Sequence, residues 1–310
     1  MEIRQLKTFV AVATNGSFTR AAETLDYAQS SVTAQVQSLE AELSTRLFER
    51  LGRKVVLTED GEKLLKYADR ILKLTAEARE VIKGASVPRG TLCIGAPESL
   101  CVYRLPELLQ KYRKTYPQVE IILRSGSCQD FIRWLKEGSM DVAFFLQRET
   151  EIPELVLKNL VPEPLVILAW PGHPLTKKES ITPLDMDGEN LIQTENGCSY
   201  RSALEDMLKE AGVRPASVTE FGSMEAIKKS VMAGLGIALL PLIAVEAELS
   251  AGLLKELRWS GPGFNMVTQL SFHKDKWISP ALNEFIKMTG EMIEKRPEGV
   301  AAVSGIVSII

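Results

Sequence analysis

The chain has 310 residues, of which 45% are hydrophobic and 25% charged, a balance typical of globular proteins rather than disordered or fibrous ones. That length suits two or three compact units better than a single core. The formal net charge of -3 gives no overall attraction to nucleic acid, so any DNA affinity must come from a local patch.

Signals for a membrane span, a signal peptide or a metal site are weak along the sequence. No stretch reaches the roughly 18 to 20 apolar residues of a membrane span, and the short apolar run after Lys7 is predicted to be a first helix rather than a signal peptide. We therefore expect a cytoplasmic protein without a membrane partner. The four cysteines are widely spaced and the two histidines isolated, so we predict no metal site, no cofactor and no disulfide framework.

The first predicted elements are three short helices. Apolar residues recur at helical spacing in residues 4–14, Gly16 ends the first helix, and Ser17 or Thr19 caps the second. After a tight turn, residues 30–43 place apolar side chains on one stripe and small polar side chains on the opposite face. This pattern predicts a helix-turn-helix whose second helix enters the major groove of DNA.

A basic hairpin is predicted next. In residues 47–58, Gly52 lies between two short apolar runs beside a cluster of basic residues, as in the wing of a winged helix. The expected phosphate contacts are Thr19, Arg50, Arg53 and Lys54. The expected base contacts, at or near the start of the second helix of the motif, are Gln29, Ser30, Ser31, Thr33 and Gln35. The alternative is an ordinary small domain with a solvated polar face, which the nearly balanced charges of residues 1–58 allow. The clustering of the basic residues at one tip favours DNA binding.

A long helix is predicted over residues 59–85. Thr58 and Glu59 offer a cap. Apolar residues then recur at helical spacing: Leu64, Leu65, Ala68, Ile71, Leu72, Ala76 and Val81. A stripe of this length outside a domain core predicts packing against a second copy of the chain. The sequence SVPRG, residues 86–90, predicts a hinge.

Beyond the hinge, predicted strands alternate with predicted helices as far as residue 296. Such alternation predicts α/β units on a largely parallel sheet. The first strand candidate is TLCIGA, the last is NMVTQLSFH, and a final helix follows from ISPALNEF. The apolar tail, residues 297–310, is expected to be a packed or disordered end.

These features occur in the order found in a known family. The segment from RQLKTFVAVATNGSF through GRKVVLTEDGEKLL resembles the DNA-binding region of the LysR-type transcriptional regulators, and RGTLCIGAPES, PGHPL and VMAGLGIALLP resemble later signatures of that family. The resemblance implies binding to double-stranded DNA as a homodimer or homotetramer joined through the linker helix. The chain departs from many members in its recognition helix, with Ala34 in place of Arg and Ser30 in place of Pro, so we expect base contacts of its own.

The resemblance also implies the architecture. The fold class is α/β with an N-terminal all-α winged helix-turn-helix and a C-terminal half with a two-subdomain, periplasmic-binding-protein-like α/β fold. The expected boundaries are residues 1–58 for the DNA-binding domain, 59–85 for the linker (dimerisation) helix, 86–90 for the hinge, and 91–296 for the effector-binding domain. Within the last domain, subdomain I is expected to comprise residues 91–161 and 266–296, and subdomain II residues 162–265.

Ligands bind α/β sheets beyond the carboxyl ends of strands, where helix amino termini point into a crevice. Hydroxyl and guanidinium groups fall at such junctions in this sequence and suit a small carboxylate or other anion. The candidate effector-binding residues are Ser99, Leu100, Ser127, Gln147, Arg148, Thr194 and Arg201. Each serine is as well explained as an ordinary helix cap, and Arg148 as the ion-pair partner of a nearby glutamate.

The predicted function is sequence-specific DNA binding and transcription regulation, modulated by a small anionic metabolite in the cleft between two subdomains. Two alternatives stay open, an effector-independent DNA binder and a thiol-based redox sensor, since Cys101, Cys128 and Cys198 fall at the same junctions. No enzyme activity is predicted, because the sequence contains no P-loop, nucleophile elbow, GxGxxG or HExxH motif.

Overall fold

The computed structural model describes residues 1–51, 54–82 and 87–294. The chain divides into two compact units, Met1–Ser86 and Val87–Ile310. None of the described helices is long and apolar enough to cross a membrane.

The first unit contains short helices, a hairpin and one long helix. In chain order these are α1 (Ile3–Asn15), α2 (Phe18–Leu25), α3 (Gln29–Leu43), β1 (Phe48–Leu51), β2 (Lys54–Leu57) and α4 (Glu59–Ile82). The two strands are antiparallel, with Leu51 opposite Lys54. The core between the helices contains the fully buried side chains of Leu6, Phe9 and Leu39.

Two residues in the left-handed conformation set the turns between the first helices. Gly16 ends α1 with φ at 59°, and Asp26 ends α2 with φ at 54°. The Ser17 hydroxyl caps α2 by accepting a hydrogen bond from the Arg20 amide (3.4 Å). The turn predicted from the sequence at Gly16 and Ser17 is confirmed.

The start of α4 is fixed by a cap and by a close backbone approach. The Thr58 hydroxyl accepts a hydrogen bond from the Gly61 amide (3.0 Å), which confirms the predicted cap. A side chain at Gly61 would meet the Leu47 carbonyl oxygen at 2.2 Å, so this turn requires glycine.

Most of the apolar stripe of α4 belongs to the core of the first unit, and the expectation that it lies outside any domain core is wrong. Leu64, Leu65, Ile71 and Leu72 pack against that core, and Ala68 is fully buried in it. The physical reason is that α4 packs along α1. The stripe therefore covers its own chain.

A second apolar face of α4 is exposed. Tyr67 is 60% exposed and Leu74 is 66% exposed. The two residues are seven positions apart, so they lie on the same side of the helix two turns from each other. Residues 83–86, which belong to the predicted linker and hinge, lie outside the described residues, as do 295–310 with the apolar tail.

The second unit has two α/β subdomains. Subdomain I begins with β3 (Gly90–Gly95), α5 (Glu98–Tyr103), α6 (Leu105–Thr115), β4 (Val119–Arg124), α7 (Cys128–Lys136), β5 (Val142–Arg148) and β6 (Leu155–Pro162). Subdomain II follows with β7 (Leu165–Ala169), β8 (Asn190–Gln193), α8 (Ser199–Glu210), β9 (Ser217–Glu220), α9 (Met224–Met232), β10 (Ala238–Pro241), α10 (Glu246–Ser250) and β11 (Lys255–Leu257). The chain then returns to subdomain I for β12 (Met266–His273) and α11 (Pro280–Thr289), which continues as a π-helical segment, Gly290–Glu294.

Both subdomains have mixed strand directions. The sheet of subdomain I has the order β4-β3-β5-β12-β6, in which β3 is parallel to β4 and β5, whereas β12 is antiparallel to β5 and β6. In subdomain II, β7 is antiparallel to β10 and β11, and β8 is parallel to β9. The prediction of a largely parallel sheet is therefore wrong. A crossover helix imposes parallel pairing only on the strands it connects, and β12 reaches its sheet from the other subdomain.

The central strand β5 is buried on both faces. Phe144 packs against Phe285 of α11 on one side, and Phe145 packs against Phe131 of α7 on the other. Because successive residues of a strand point to opposite faces, an uninterrupted apolar run is what this position requires.

The two chain crossings between the subdomains lie side by side. The Glu163 amide donates a hydrogen bond to the Met266 carbonyl oxygen (2.8 Å). The buried Glu163 carboxylate accepts a hydrogen bond from the Thr268 hydroxyl (2.9 Å) and forms an ion pair with Arg104. These contacts hold the two crossing segments together.

Candidate nucleic-acid interface and ligand pocket

The exposed first turn of α3 is the best-formed part of the candidate nucleic-acid interface. The side chains of Gln29, Ser30 and Ser31 are exposed there. The N-cap residue is Ala28, and no side chain caps the helix, so the amides of Gln29 and Ser30 remain available to an oxygen of a phosphate, whereas the Ser31 amide donates to the Ala28 carbonyl oxygen (3.0 Å). Sequence reasoning missed this feature, although an alanine at the N-cap is a readable signal for it.

Three of the predicted base contacts, Gln29, Thr33 and Gln35, use their side chains in hydrogen bonds within the first unit. The Gln35 side chain is half-buried, and its Oε1 accepts a hydrogen bond from the buried Thr8 hydroxyl (2.8 Å). The Thr33 hydroxyl donates to the Gln29 carbonyl oxygen (3.0 Å). Gln35 therefore joins α3 to α1, whereas Gln29, Ser30 and Ser31 remain at the surface.

The predicted phosphate contacts are described only in part. Thr19 is exposed on α2, and its hydroxyl donates to Gln29 Oε1 (3.3 Å), which places it beside the first turn of α3. Arg50 lies on β1 and Lys54 on β2. Arg53 and the side chains of Arg50 and Lys54 lie outside the described residues.

A small pocket lies in the second unit where strands of subdomain I end against subdomain II. Its volume is about 50 Å³. Subdomain I contributes Pro97, Glu98, Ser99, Gly126, Ser127, Cys128 and Leu146, and subdomain II contributes Thr194, Glu195, Gly197, Cys198, Ser199, Tyr200 and Met224. The pocket thus lies at strand-to-helix junctions in both subdomains.

Three of the predicted effector-binding residues line this pocket, namely Ser99, Ser127 and Thr194. The Ser127 hydroxyl is engaged in a capping box with Asp130 at the start of α7. The Thr194 hydroxyl, by contrast, is buried and makes no hydrogen bond of full geometry, although the side chains of Cys198 and Tyr200 are its neighbours. A buried polar atom without a partner is costly, so this hydroxyl is suited to a ligand atom.

The other four predicted effector-binding residues do not line the pocket. Leu100 is part of the core of subdomain I. The Gln147 amide donates to Gln269 Oε1 (3.0 Å), and Arg148 Nε donates to the Phe264 carbonyl oxygen (3.2 Å).

Arg201, the fourth of these residues, is already engaged. Its side chain forms ion pairs with Glu205 and Glu220 and donates a hydrogen bond to the Thr194 carbonyl oxygen (2.6 Å). The two glutamates neutralise the guanidinium, which supports the backbone beside the pocket from outside it.

A network of polar side chains joins the subdomains next to the pocket. Glu98 Oε2 accepts a hydrogen bond from the amide of Met224, at the start of α9 (3.0 Å). Further along α5, the Tyr103 hydroxyl donates to Glu225 Oε1 (3.3 Å) and accepts from Lys228 Nζ (3.1 Å). Lys228 also forms ion pairs with Glu225 and Glu248. Burial alone would lower the pKa of Lys228, but its hydrogen bonds to the two carboxylates outweigh burial and raise that pKa.

The cysteines near the pocket are free thiols with unfavourable surroundings for ionisation. Burial raises the pKa of Cys101 to about 11 and also raises the pKa values of Cys128 and Cys198. A thiol-based sensor needs the opposite shift. Within the described residues, no group of three His, Cys, Asp or Glu side chains is placed to hold a metal ion.

A larger groove, of about 760 Å³, lies along β6 and is open to solvent. None of the predicted effector-binding residues lines it. Two of its polar side chains bond to each other, since the Gln269 amide donates to Asn159 Oδ1 (2.7 Å). The smaller pocket is more enclosed and contains a buried hydroxyl without a hydrogen bond of full geometry, so it is the better candidate for a specific ligand.

Comparisons with known proteins match both units. Residues 3–62 match the family model "Bacterial regulatory helix-turn-helix protein, lysR family", and residues 85–293 match the model "LysR substrate binding domain". The HTH-type transcriptional regulator YwqM of Bacillus subtilis is 42% identical over 292 residues, which are 93% of this chain and 98% of that protein. The HTH-type transcriptional regulator GltR of the same species is 34% identical and covers 96% of this chain and 99% of its own.

Solved structures are similar over almost the whole length. A full-length OxyR variant from Pseudomonas aeruginosa has a TM-score of 0.73 at 23% identity and covers 95% of both chains, which shows the shared fold. The regulator CbnR, solved in complex with its target DNA, has a TM-score of 0.65 at 26% identity and covers 94% of this chain and all of its own, 100%.

Proposed function

This chain belongs to the LysR family of transcriptional regulators, and we propose that it regulates transcription in the cytoplasm in response to a small carboxylate. Its two family models are those of a DNA-binding helix-turn-helix and an effector-binding domain. The observation that carries the DNA-binding part is the uncapped, exposed first turn of α3, which follows α2 through the tight turn at Asp26. An exposed turn of small polar residues can approach base edges in the major groove.

We propose a division of labour among the predicted DNA contacts. Gln29, Ser30 and Ser31 contact bases directly, supported by their exposure at the start of α3. Thr33 and Gln35 act at the edge of that contact and hold the helix in place. Thr19, Arg50, Arg53 and Lys54 bind phosphates, as their position beside the helix or on the hairpin suggests.

Gln29→Ala and Gln35→Ala test this division. Gln29→Ala should cost about 1 to 3 kcal/mol of binding to duplexes selected from a random pool, with little loss on scrambled duplexes. Besides weakening binding to the selected duplexes, Gln35→Ala should lower the free energy of unfolding by about 1 kcal/mol, because the buried Thr8 hydroxyl loses its acceptor. Fluorescence anisotropy and thermal unfolding measure the two effects. Equal losses by Gln29→Ala on selected and scrambled duplexes would contradict its assignment to bases.

The effector is proposed to bind in the pocket between the subdomains through its carboxylate. Support comes from the amino terminus of α8, whose first residues, Ser199 and Tyr200, line the pocket, and from the buried Thr194 hydroxyl, which makes no hydrogen bond of full geometry. The anion site therefore depends on these groups rather than on Arg148 or Arg201. A ligand that touches both subdomains changes DNA binding to the extent that its affinities for two closure states differ.

The experiment for the effector is a DNA titration with and without a panel of carboxylates. A shift in DNA affinity by any member of the panel, lost in Thr194→Val, supports the proposal. Unchanged DNA binding across the panel would favour the effector-independent alternative. The raised pKa values of the three cysteines disfavour the redox alternative.

The oligomer is proposed to form through α4, as a dimer or a tetramer. Support comes from the exposed side chains of Tyr67 and Leu74 on one side of this helix. Large apolar side chains repeated every seven residues on a helix are typical of a contact with a second helix.

A further inference from the structure

The charge of the pocket differs from that of a simple anion site. Among the described residues that line it there is no Lys, Arg or His, but there are two carboxylates, Glu98 and Glu195. An effector that carries only negative charge would lie near the half-buried Glu98 and the exposed Glu195, which is unfavourable. The lining therefore calls for a positive group on the ligand as well as a negative one.

The negative group of the ligand has a defined place at the start of α8. The N-cap residue of this helix is Cys198, whose thiol is a weak acceptor that lies beside the Tyr200 and Arg201 amides without a capping hydrogen bond of full geometry. Ser199 and Tyr200, the first two residues of the helix, line the pocket. The Thr194 side chain, only 9% exposed, adds a hydroxyl that makes no hydrogen bond of full geometry and has Cys198 and Tyr200 as neighbours. The start of α7 offers no comparable site, because Ser127 and Asp130 cap it.

The positive group has its place beside Glu98 and Glu195. Glu98 is half-buried, and the Met224 amide engages its Oε2 (3.0 Å). No hydrogen bond to Oε1 is found within the described part of the chain. Glu195 follows Thr194 directly at the end of β8, so the acceptor for a positive group and the hydroxyl for a carboxylate are neighbours in the chain.

The size of the pocket limits the ligand. A volume of about 50 Å³ holds about four water molecules, at 10 to 15 Å³ of probe volume for each. This is the size of a compact metabolite with very few carbon atoms. A bulky aromatic ligand does not fit the pocket in this state.

We propose that the pocket binds a small α-amino acid in its zwitterionic form. The carboxylate accepts hydrogen bonds from the first amides of α8 and from the Thr194 hydroxyl. The ammonium group donates to the carboxylates of Glu98 and Glu195. This inference rests on the proposed effector function and specifies the chemical class of the effector.

The first experiment compares ligands that differ by one charged group. Glycine, L-alanine and L-serine are titrated into the full-length protein by calorimetry, alongside propionate and L-lactate, which lack the ammonium, and ethylamine, which lacks the carboxylate. At least one of the amino acids should bind about tenfold or more tightly than every analogue, because each charge-assisted contact contributes at least that factor. Binding of propionate or lactate as tightly as of any amino acid would overturn the zwitterion inference and leave the proposed carboxylate effector intact.

The second experiment removes the negative charges of the pocket. In the double variant Glu98→Gln and Glu195→Gln, the amide oxygen at position 98 still accepts the Met224 amide, so the subdomain contact is kept. We expect this variant to lose about tenfold or more in amino-acid affinity while its affinity for propionate stays equal or rises. Glu210→Gln, at the far end of α8, is the matched control and should bind as the unchanged protein does. Undiminished amino-acid binding by the double variant would overturn the inference.

Discussion

Arg201 lies close to the candidate ligand pocket, but groups of its own chain engage its side chain. Its guanidinium is shared between Glu205, Glu220 and the Thr194 carbonyl oxygen. The glutamate four residues after Arg201 on the same helix is a sequence signal for an ion pair, and it competes with the prediction of ligand binding. The pairing with Glu220 was not predictable, because β9 approaches α8 only in the folded chain.

Arg201→Ala should therefore lower stability as well as ligand affinity. It leaves two glutamates unpaired and the end of β8 unsupported, at a cost of about 1 to 2 kcal/mol in the free energy of unfolding after allowance for solvent screening. Arg201→Lys should recover only part of this, because one ammonium cannot replace the planar fork. Urea denaturation checks the effect, with the exposed Lys209→Ala on α8 as the control. An Arg201→Ala protein as stable as the unchanged one would show that these contacts contribute nothing.

Among the elements, α4 combines two surfaces that the sequence pattern did not separate. The predicted stripe contains residues that cover the core of the first unit, such as Leu72, and it omits Tyr67 and Leu74, which are exposed. Helical periodicity identifies an apolar face, but it does not say whether the partner is the same chain or another copy. The start of α4 was predictable from Thr58, since capping is a local interaction.

Leu74→Glu and Leu72→Glu should separate these two surfaces. Leu74→Glu places a charge on the exposed face and should dissociate the oligomer with little change in protomer stability. Leu72→Glu places a charge against the core and should lower the free energy of unfolding by about 2 kcal/mol or more. Sedimentation measures the first effect and thermal unfolding the second. If Leu74→Glu sediments as the unchanged oligomer, the contact between copies lies elsewhere.

Strands were harder to predict than helices, because a local sequence pattern does not show which partner a strand pairs with or packs against. β5 was predictable because its apolar run is buried on both faces, whereas β6 is an edge strand with Lys158 and Asn159 exposed. β11 has three residues, too few to show a period. The antiparallel pairing of β12 depends on where the chain returns from subdomain II, which no local pattern records.

On the scale of the whole molecule, the order of the units and the positions of the strand-to-helix junctions were predictable, because local sequence motifs indicate them. The contacts between the subdomains were not predictable, since they join residues more than a hundred positions apart. Tyr103 meets Glu225 and Lys228, and nothing near Tyr103 in the sequence indicates these partners.

Lys228→Ala should disturb this junction strongly. Lys228 is only 4% exposed, and its removal leaves Glu248 partly buried without its cation and the Tyr103 hydroxyl without its donor. The expected loss is about 3 kcal/mol in the free energy of unfolding, in the range measured for broken buried ion pairs. Urea denaturation checks it, with exposed Lys229→Ala on the same helix as the control. A Lys228→Ala protein within about 1 kcal/mol of the unchanged one would show that the junction is not held by this lysine.

The position of Glu98 between the pocket and α9 determines how a ligand would affect the contact between the two subdomains. One of its carboxylate oxygens accepts a hydrogen bond from the first amide of α9 in the opposite subdomain, and no hydrogen bond to the other oxygen is found within the described residues. In the proposed binding mode, a ligand whose ammonium takes only the second oxygen leaves the contact between Glu98 and the Met224 amide in place, and we expect it to stabilise this arrangement of the subdomains. A ligand that draws both oxygens away from the Met224 amide breaks that contact, and we expect the opposite effect on DNA binding. In this mode, the number of N–H donors that a ligand presents to Glu98 determines the direction of its effect.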